Sequence, residues 1–243
     1  SRFTKGLFAV AGMSLCVCGT ALANDLTVVS WGGAYTMSQV EAYHKPWMAK
    51  TGKTIVSEDY SGGIAEIKAQ VESGNVTWDI VDVELSDALR ACDEGLVEEI
   101  DHSTLPAAPD GTPATEDFLP GTLQDCAVAN IFWSSVYVYD AGKTRNWNVP
   151  KPMADFFDLE AFPGKRGMRK SPKVTLEFAL IGDGVPTDQV YDLLRTEEGI
   201  ARAFAKLDTI KDQVVWWEAG AQPAQLLADG EVVFTTAWNG RIF

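Results

Sequence analysis

The side chains able to do chemistry are few and scattered. His44 and His102 lie far apart and beside none of the four cysteines, so the spacings of a zinc site are absent. Neither G-x-S-x-G nor H-E-x-x-H occurs, and no phosphate-cradling glycine loop or catalytic carboxylate pair stands out. Ser61-Gly62-Gly63 ahead of an apolar period could offer backbone amides to an anion, although a tight-turn glycine pair is the more ordinary reading. The tryptophans say more. Trp31 and Trp238 each sit beside glycine at the end of an expected strand instead of inside an apolar period. Indole faces attract cations and sandwich alkyl chains, and an acid such as Glu84 near them would neutralise an ammonium. Trp47, Trp78, Trp133, Trp147, Trp216 and Trp217 fit core packing better. With 20 Lys and Arg against 34 Asp and Glu, the net charge of −14 leaves no polybasic surface, and nucleic acid is excluded as a partner.

These residues need elements to position them. Residues 1–23 run from Arg2 and Lys5 through an uncharged apolar stretch to Ala21-Leu22-Ala23, the order of a secretory signal peptide cleaved near Ala23. The stretch is short and weakly apolar for a membrane span of about 20 residues. Without an initiating Met, the front of the chain is expected to be clipped. In an exported protein, Cys92 and Cys126 would meet an oxidising compartment and tend to pair; two buried free thiols are the alternative. From Asp25 strand and helix alternate. Leu26 to Ser30 reads as a strand ended by Trp31-Gly32-Gly33. Thr36 and Gln39 have capping-box spacing, followed by the helical stripe Val40, Tyr43 and Trp47. Thr54 to Ser57 is a second strand, Ile64, Ile67 and Val71 mark a second helix stopped by Gly74, and Asp79 to Val83 is a third strand. The turn Glu84-Leu85-Ser86 then leads to a helix with the stripe Ala88, Leu89 and Cys92, stopped by Gly95.

Three such units argue for a parallel sheet with right-handed crossovers. Ligands of open α/β sheets lie beyond the carboxyl ends of the strands, so Ser30 to Tyr35, Asp59 to Gly63 and Val83 to Ser86 should share one rim. Asp101 to Gly121, with four prolines, reads as a long surface connection. Cys126 to Tyr139 reads as one extended segment crossing between lobes. Beyond it come a strand around Gly167 to Lys170, helices near Val174 to Leu180, Asp188 to Arg195 and Glu197 to Leu207, a strand at Gln213 to Trp217, a helix opened by Pro223 and a strand at Val232 to Ala237. The chain stops straight after that strand, as a fragment of a longer protein would.

Taken in order, Val28 to Tyr35, Trp78 to Val83, Glu94 to Val97 and Ala237 to Gly240 resemble the solute-binding proteins of spermidine/putrescine-type ABC importers, over about Asp25 to Phe243. The resemblance implies an α/β, two-lobed type II periplasmic binding protein fold. Residues 24–128 would form a first lobe lacking its C-terminal return, and residues 129–243 a second lobe. It also implies a monomeric, cofactor-free, non-enzymatic receptor in the periplasm that holds a polyamine or related small-molecule amine between its lobes and docks on an ABC transporter membrane permease. Carried over by position, Trp31, Tyr35, Glu84, Ser86 and Trp238 are the ligand residues, with Gly32, Gly33 and Ser61 orienting the ligand through their backbone. One stretch departs from the pattern: where polyamine binders place acids, this chain has Met168 to Lys173, which is basic. Either the ligand carries a carboxylate that Arg169 and Ser171 meet, as a zwitterionic amino-acid derivative would, or these residues face solvent. A secreted enzyme using the same cleft is the reading from a different class.

Overall fold

The computed structural model describes residues 26–242; the expected signal peptide and the preceding question of its cleavage lie outside them. β1 (Leu26–Ser30) is the β-branched run, and it is followed by α1 (Gly33–Gln39), a single π-helical turn at Val40–His44 and α2 (Lys45–Thr51). β2 (Ile55–Asp59), α3 (Ala65–Ser73), β3 (Ile80–Val81) and α4 (Leu85–Asp93) complete three strand-helix units. The sheet has the order β2-β1-β3 and both pairings are parallel, with Ser30 opposite Asp59 and Val29 opposite Val81. Glycine closes the helices where expected: Gly74 ends α3 at φ 66° and Gly95 follows α4 at φ 66°.

Several local expectations need correction. The first helix begins at Gly33, and Thr36 lies inside it; its hydroxyl donates to Asp59 Oδ1 at 2.8 Å instead of capping. Thr36 and Gln39 are buried in α1, and the π turn that follows inserts one residue into the helical repeat, so that His44 is buried while Tyr43 is exposed. Leu85 and Ser86 belong to α4, with Glu84 as the residue ahead of it. The face that α4 buries includes Ala88 and Ala91, while Leu89 is exposed.

The proline-rich connection contains one 3-10 turn at His102–Thr104 and α5 (Ala114–Asp117). A small antiparallel hairpin follows, β4 (Leu123–Gln124) with β5 (Ala127–Val128). Cys126 in this hairpin is bonded to Cys92 near the end of α4, with Cα atoms 5.7 Å apart, so the paired reading holds and the free-thiol one does not. The segment expected to be one extended strand is broken: irregular backbone at residues 129–134 separates β5 from β6 (Ser135–Tyr139).

The second lobe contains α6 (Met153–Phe157), β7 (Arg166–Arg169), α7 (Thr175–Gly182), α8 (Val190–Leu194), α9 (Glu197–Asp208), β8 (Val214–Trp217), α10 (Gln222–Ala228) and β9 (Phe234–Trp238). Its sheet runs β6-β9-β7-β8, with β6 antiparallel to β9 and the other pairs parallel. Phe156, Phe157, Phe162, Met168, Leu180 and Phe234 form its core. Arg166 is fully buried there and donates to the carbonyls of Phe156, Asp158, Phe162 and Gly164 at 2.5–3.0 Å. That pairing is what permits a buried guanidinium; burial still lowers its pKa to about 10. Among the described residues no helix is long and apolar enough to cross a membrane.

Candidate functional site

Because β1, β2 and β3 are parallel, the residues that follow them emerge on one edge of the first sheet. Trp31 follows β1, Tyr60 follows β2 and Glu84 comes three residues after β3. Tyr60 is tied to the ends of the other two strands of the sheet: its amide donates to the Ser30 carbonyl at 2.9 Å and its hydroxyl to the Asp82 carbonyl at 2.5 Å. Burial, with the Asp82 charge adding to it, pushes the Tyr60 phenol far above its ordinary pKa. The Trp31 ring packs on Tyr60 at 5.3 Å and edge-on against Trp238 at 5.5 Å. Trp238, at the end of β9, also meets Trp133 at 5.9 Å and Trp217 at 5.7 Å. Two glycines make room for these rings. A Cβ on Gly62, already at φ +90°, would lie 2.3 Å from the Trp31 ring, and one on Gly220 would lie 2.3 Å from Trp238.

Charges join the lobes across this aromatic cluster. Arg169, the last residue of β7, places its guanidinium carbon 5.6 Å from the Trp31 ring centre and 5.0 Å from that of Trp238, within cation–π range. It also bonds Glu84 Oε1 at 3.0 Å, with side-chain exposures of 10% and 12% for the two partners. Lys173 meets Glu84 Oε2 at 2.7 Å. Its ammonium also forms an ion pair with Asp87 Oδ2 at 2.6 Å. Burial by itself would raise the Glu84 carboxyl, yet Lys173 and Arg169 outweigh it and hold the group below its usual value. Arg241 completes the join by donating to the carbonyls of Gly32 at 2.8 Å and Trp31 at 3.0 Å.

Of the residues expected at the site, Trp31, Tyr35, Glu84, Arg169 and Trp238 come together. Glu84 is not free toward a ligand ammonium, since both its oxygens are engaged by Arg169 and Lys173. Gly32 is spent too: its amide donates to Thr36 Oγ1 at 2.9 Å and its carbonyl accepts from Arg241. Gly33 opens α1, and its Cβ position is filled by the Arg241 guanidinium at 2.8 Å. Ser61 and Ser86 are exposed. Ser171 turns inward on its own loop, where its hydroxyl accepts from the Lys173 amide at 3.3 Å.

The residues missed are Tyr60, Trp133, Trp217, Arg241, Lys173 and Asp82. Tyr60 stood in a turn assigned to the rim, so position alone could have found it, and Lys173 lay in the basic stretch already singled out. Trp133 and Trp217 carried no signal apart from their abundance. Asp82 accepts from Ser30 Oγ at 2.9 Å and Gln39 Nε2 at 2.8 Å through Oδ2, Oδ1 meets Asn130 at 3.4 Å, and the Tyr35 hydroxyl lies within reach of the same carboxylate. The Tyr35 hydroxyl reaches Asn130 at 3.4 Å, and burial, then Asp82, push its pKa up. Trp31, Tyr35, Asp82, Trp133, Trp238 and Arg241 all line a cavity of ≈ 1520 Å³ that continues along β3 and α4. Among the described residues, no group of three or more His, Cys, Asp or Glu side chains could hold a metal ion.

This geometry has relatives. A family model described as bacterial extracellular solute-binding protein matches residues 42–243. A gamma-aminobutyric acid-binding protein from Pseudomonas aeruginosa is 46% identical over 231 residues, which cover 95% of this chain and 63% of that protein. The PBP MotA from A. tumefaciens B6, solved in complex with glucopine, has a TM-score of 0.81 at 37% identity, covering 90% of this chain and 65% of that one. A solved GABA receptor has a TM-score of 0.73 at 37% identity, covering 90% and 64%. The chain therefore spans just under two thirds of the length of each of these relatives.

Proposed function

The chain belongs to the bacterial extracellular solute-binding protein family and has its α/β, two-lobed type II periplasmic binding fold; from that premise we propose that it is a periplasmic, non-enzymatic receptor for a zwitterionic amino-acid derivative such as γ-aminobutyrate. In this reading the lobes divide near residues 128 and 129 and close on the solute about the irregular segment 129–134. The closed form is then recognised by the membrane permease of an ABC importer.

The observation that carries the reading is the placement of Arg169. A guanidinium lies against both Trp31 and Trp238, where a polyamine would need an acid, and the carboxylate closest to it is already paired. A diamine there would meet like charge, whereas a carboxylate would meet a cation with donors to share. Asp82 places a carboxylate on the wall of the main cavity, where it can meet the ammonium at the other end. The relatives that bind γ-aminobutyrate, and one solved with glucopine, support a carboxylate-bearing ligand over spermidine or putrescine.

Titration calorimetry with γ-aminobutyrate, glucopine and putrescine tests the proposal. Heat from either carboxylate and none from putrescine is expected. Binding of putrescine alone would restore the polyamine reading and sink this one.

A further inference from the structure

Behind Trp238, on the side of the second sheet, lies a second and much smaller cavity of ≈ 10 Å³, lined by Arg169, Val174, Thr175, Trp217, Thr236 and Trp238 among others. Its volume is about that of a single water-sized group. Two of its lining residues are anomalous. Trp217 is 2% exposed and Thr236 is 5% exposed, yet the indole Nε1 of one and the hydroxyl Oγ1 of the other are buried without any partner. A buried polar group left unpaired is costly, so such a pair at one small cavity points to an occupant.

The chemistry of the lining says what the occupant is. An indole N–H only donates, a guanidinium only donates, and a hydroxyl donates whenever its neighbour is an acceptor. The Thr175 hydroxyl is already committed to the Arg169 carbonyl, at 3.0 Å. No carboxylate lines the cavity. Ser135 adds a hydroxyl that can donate or accept, and Val174, Phe178 and Ala237 add apolar wall; the polar part of the lining therefore leans toward donors, and it includes one nearly buried cation.

A third feature lies at the same place. Val174 has φ 68° and ψ −35°, the only non-glycine residue at positive φ among those described, and it is β-branched. Such strain persists where the surroundings over-determine it, and it gathers at ligand clamps. The strained residue sits between the basic loop and the first turn of α7, so it fixes both the direction of Arg169's loop and one wall of the cavity.

From these observations we propose that Trp217, Thr236 and Arg169 form an oxyanion subsite behind Trp238, which receives one oxygen of the ligand's carboxylate. Trp238 lines both this cavity and the main one, so the carboxylate reaches the subsite past the ring that packs the ligand's apolar body. The inference rests on the reading of the cleft as a receptor for a carboxylate-bearing solute, and it adds the residues that would tell acid from amide.

The test compares γ-aminobutyrate with its amide, 4-aminobutanamide, by calorimetry on the full chain. Thr236→Val removes the hydroxyl at constant volume, and Trp217→Phe removes the N–H. Each should weaken γ-aminobutyrate about tenfold, the loss of one hydrogen bond to a charged group, and leave the amide within about twofold, so the preference for acid over amide falls. A purely structural role would lower both ligands together. Thr236→Val decides alone if Trp217→Phe fails to fold. Wild-type binding of γ-aminobutyrate with an unchanged acid-to-amide preference in Thr236→Val would overturn the subsite, leaving it a water pocket, while the receptor reading stands. A wild-type chain that binds neither probe would overturn both.

Discussion

Replacing Glu84 by Gln removes the one negative charge that two cations of the opposite lobe share, while keeping the shape of the side chain. Glu84 and Arg169 are nearly buried at 3.0 Å, whereas Lys173 is about a third exposed. With an effective dielectric of about 20, a unit pair separated by about 4 Å is worth about 4 kcal/mol. The exposed Lys173 adds no more than about 1 kcal/mol after solvent screening. Against this gross attraction stands the desolvation of the carboxylate, which the amide largely avoids, together with the hydrogen bond that Gln can still accept from Arg169. A net loss of about 2–3 kcal/mol remains, which lowers the ratio of closed to open chains about 30- to 150-fold. Energy transfer between dyes on the two lobes, in the absence of ligand, reads that ratio. Pairing with Arg169→Met in a double-mutant cycle isolates the interaction, with a coupling of at least about 1.5 kcal/mol expected. A coupling within about 0.5 kcal/mol of zero would refute the reasoning, since the pair would then be incidental to closure. The pH dependence follows with a definite sign. Glu84 is depressed when the lobes meet, so its contribution is complete above its ordinary value of 4.5 and fades as pH falls through the depressed one. The charge-free variant should show no such fading.

Gly220→Ala should displace the Trp238 ring, because the added Cβ would lie 2.3 Å from it; a fall in γ-aminobutyrate affinity of at least tenfold is expected by calorimetry, as for loss of a buried aromatic anchor. Opening the Cys92 to Cys126 bridge with a Ser pair frees residues 34 apart in sequence and should lower stability by about 3–4 kcal/mol in urea unfolding, with an unchanged midpoint counting against the bond. Val174→Gly relieves the positive φ and should raise stability by about 1 kcal/mol, since relief of 1–3 kcal/mol of strain exceeds the extra freedom that glycine gives the unfolded chain; a loss of stability would show that the side chain's packing matters more.

What could be read from the sequence is what short-range rules govern. The run Leu26 to Ser30 had to be a strand because β-branched side chains suit a pleated surface, and Gly74 and Gly95 stop helices because each lies at φ 66°, where other residues strain. Once three strand-helix units are recognised, parallel pairing places Trp31 and Glu84 on one rim, as found. The disulfide was half-legible: export made pairing of Cys92 and Cys126 favourable, but only the approach of α4 to the β4-β5 hairpin made it possible.

Rules of that kind fail where a distant residue competes. Thr36 has the spacing of a capping residue, yet Asp59, 23 positions away, claims its hydroxyl. The π turn at Val40–His44 shifts the helical register, so the apolar stripe read at a period of 3.6 turns Tyr43, 56% exposed, to solvent. The site shows the same division. Residue types alone pointed to an aromatic cleft with an acid and a basic loop. That the acid is spent on the basic loop, 85 positions away, and that Trp217 both packs and leaves its N–H unpaired, depend on distances that exist only once the two lobes have met. Hydrophobic period and turn chemistry act over a few residues, so the sequence determines elements and their order; charge pairing and hydrogen bonding act through space, so the tertiary structure decides which groups remain free for a ligand.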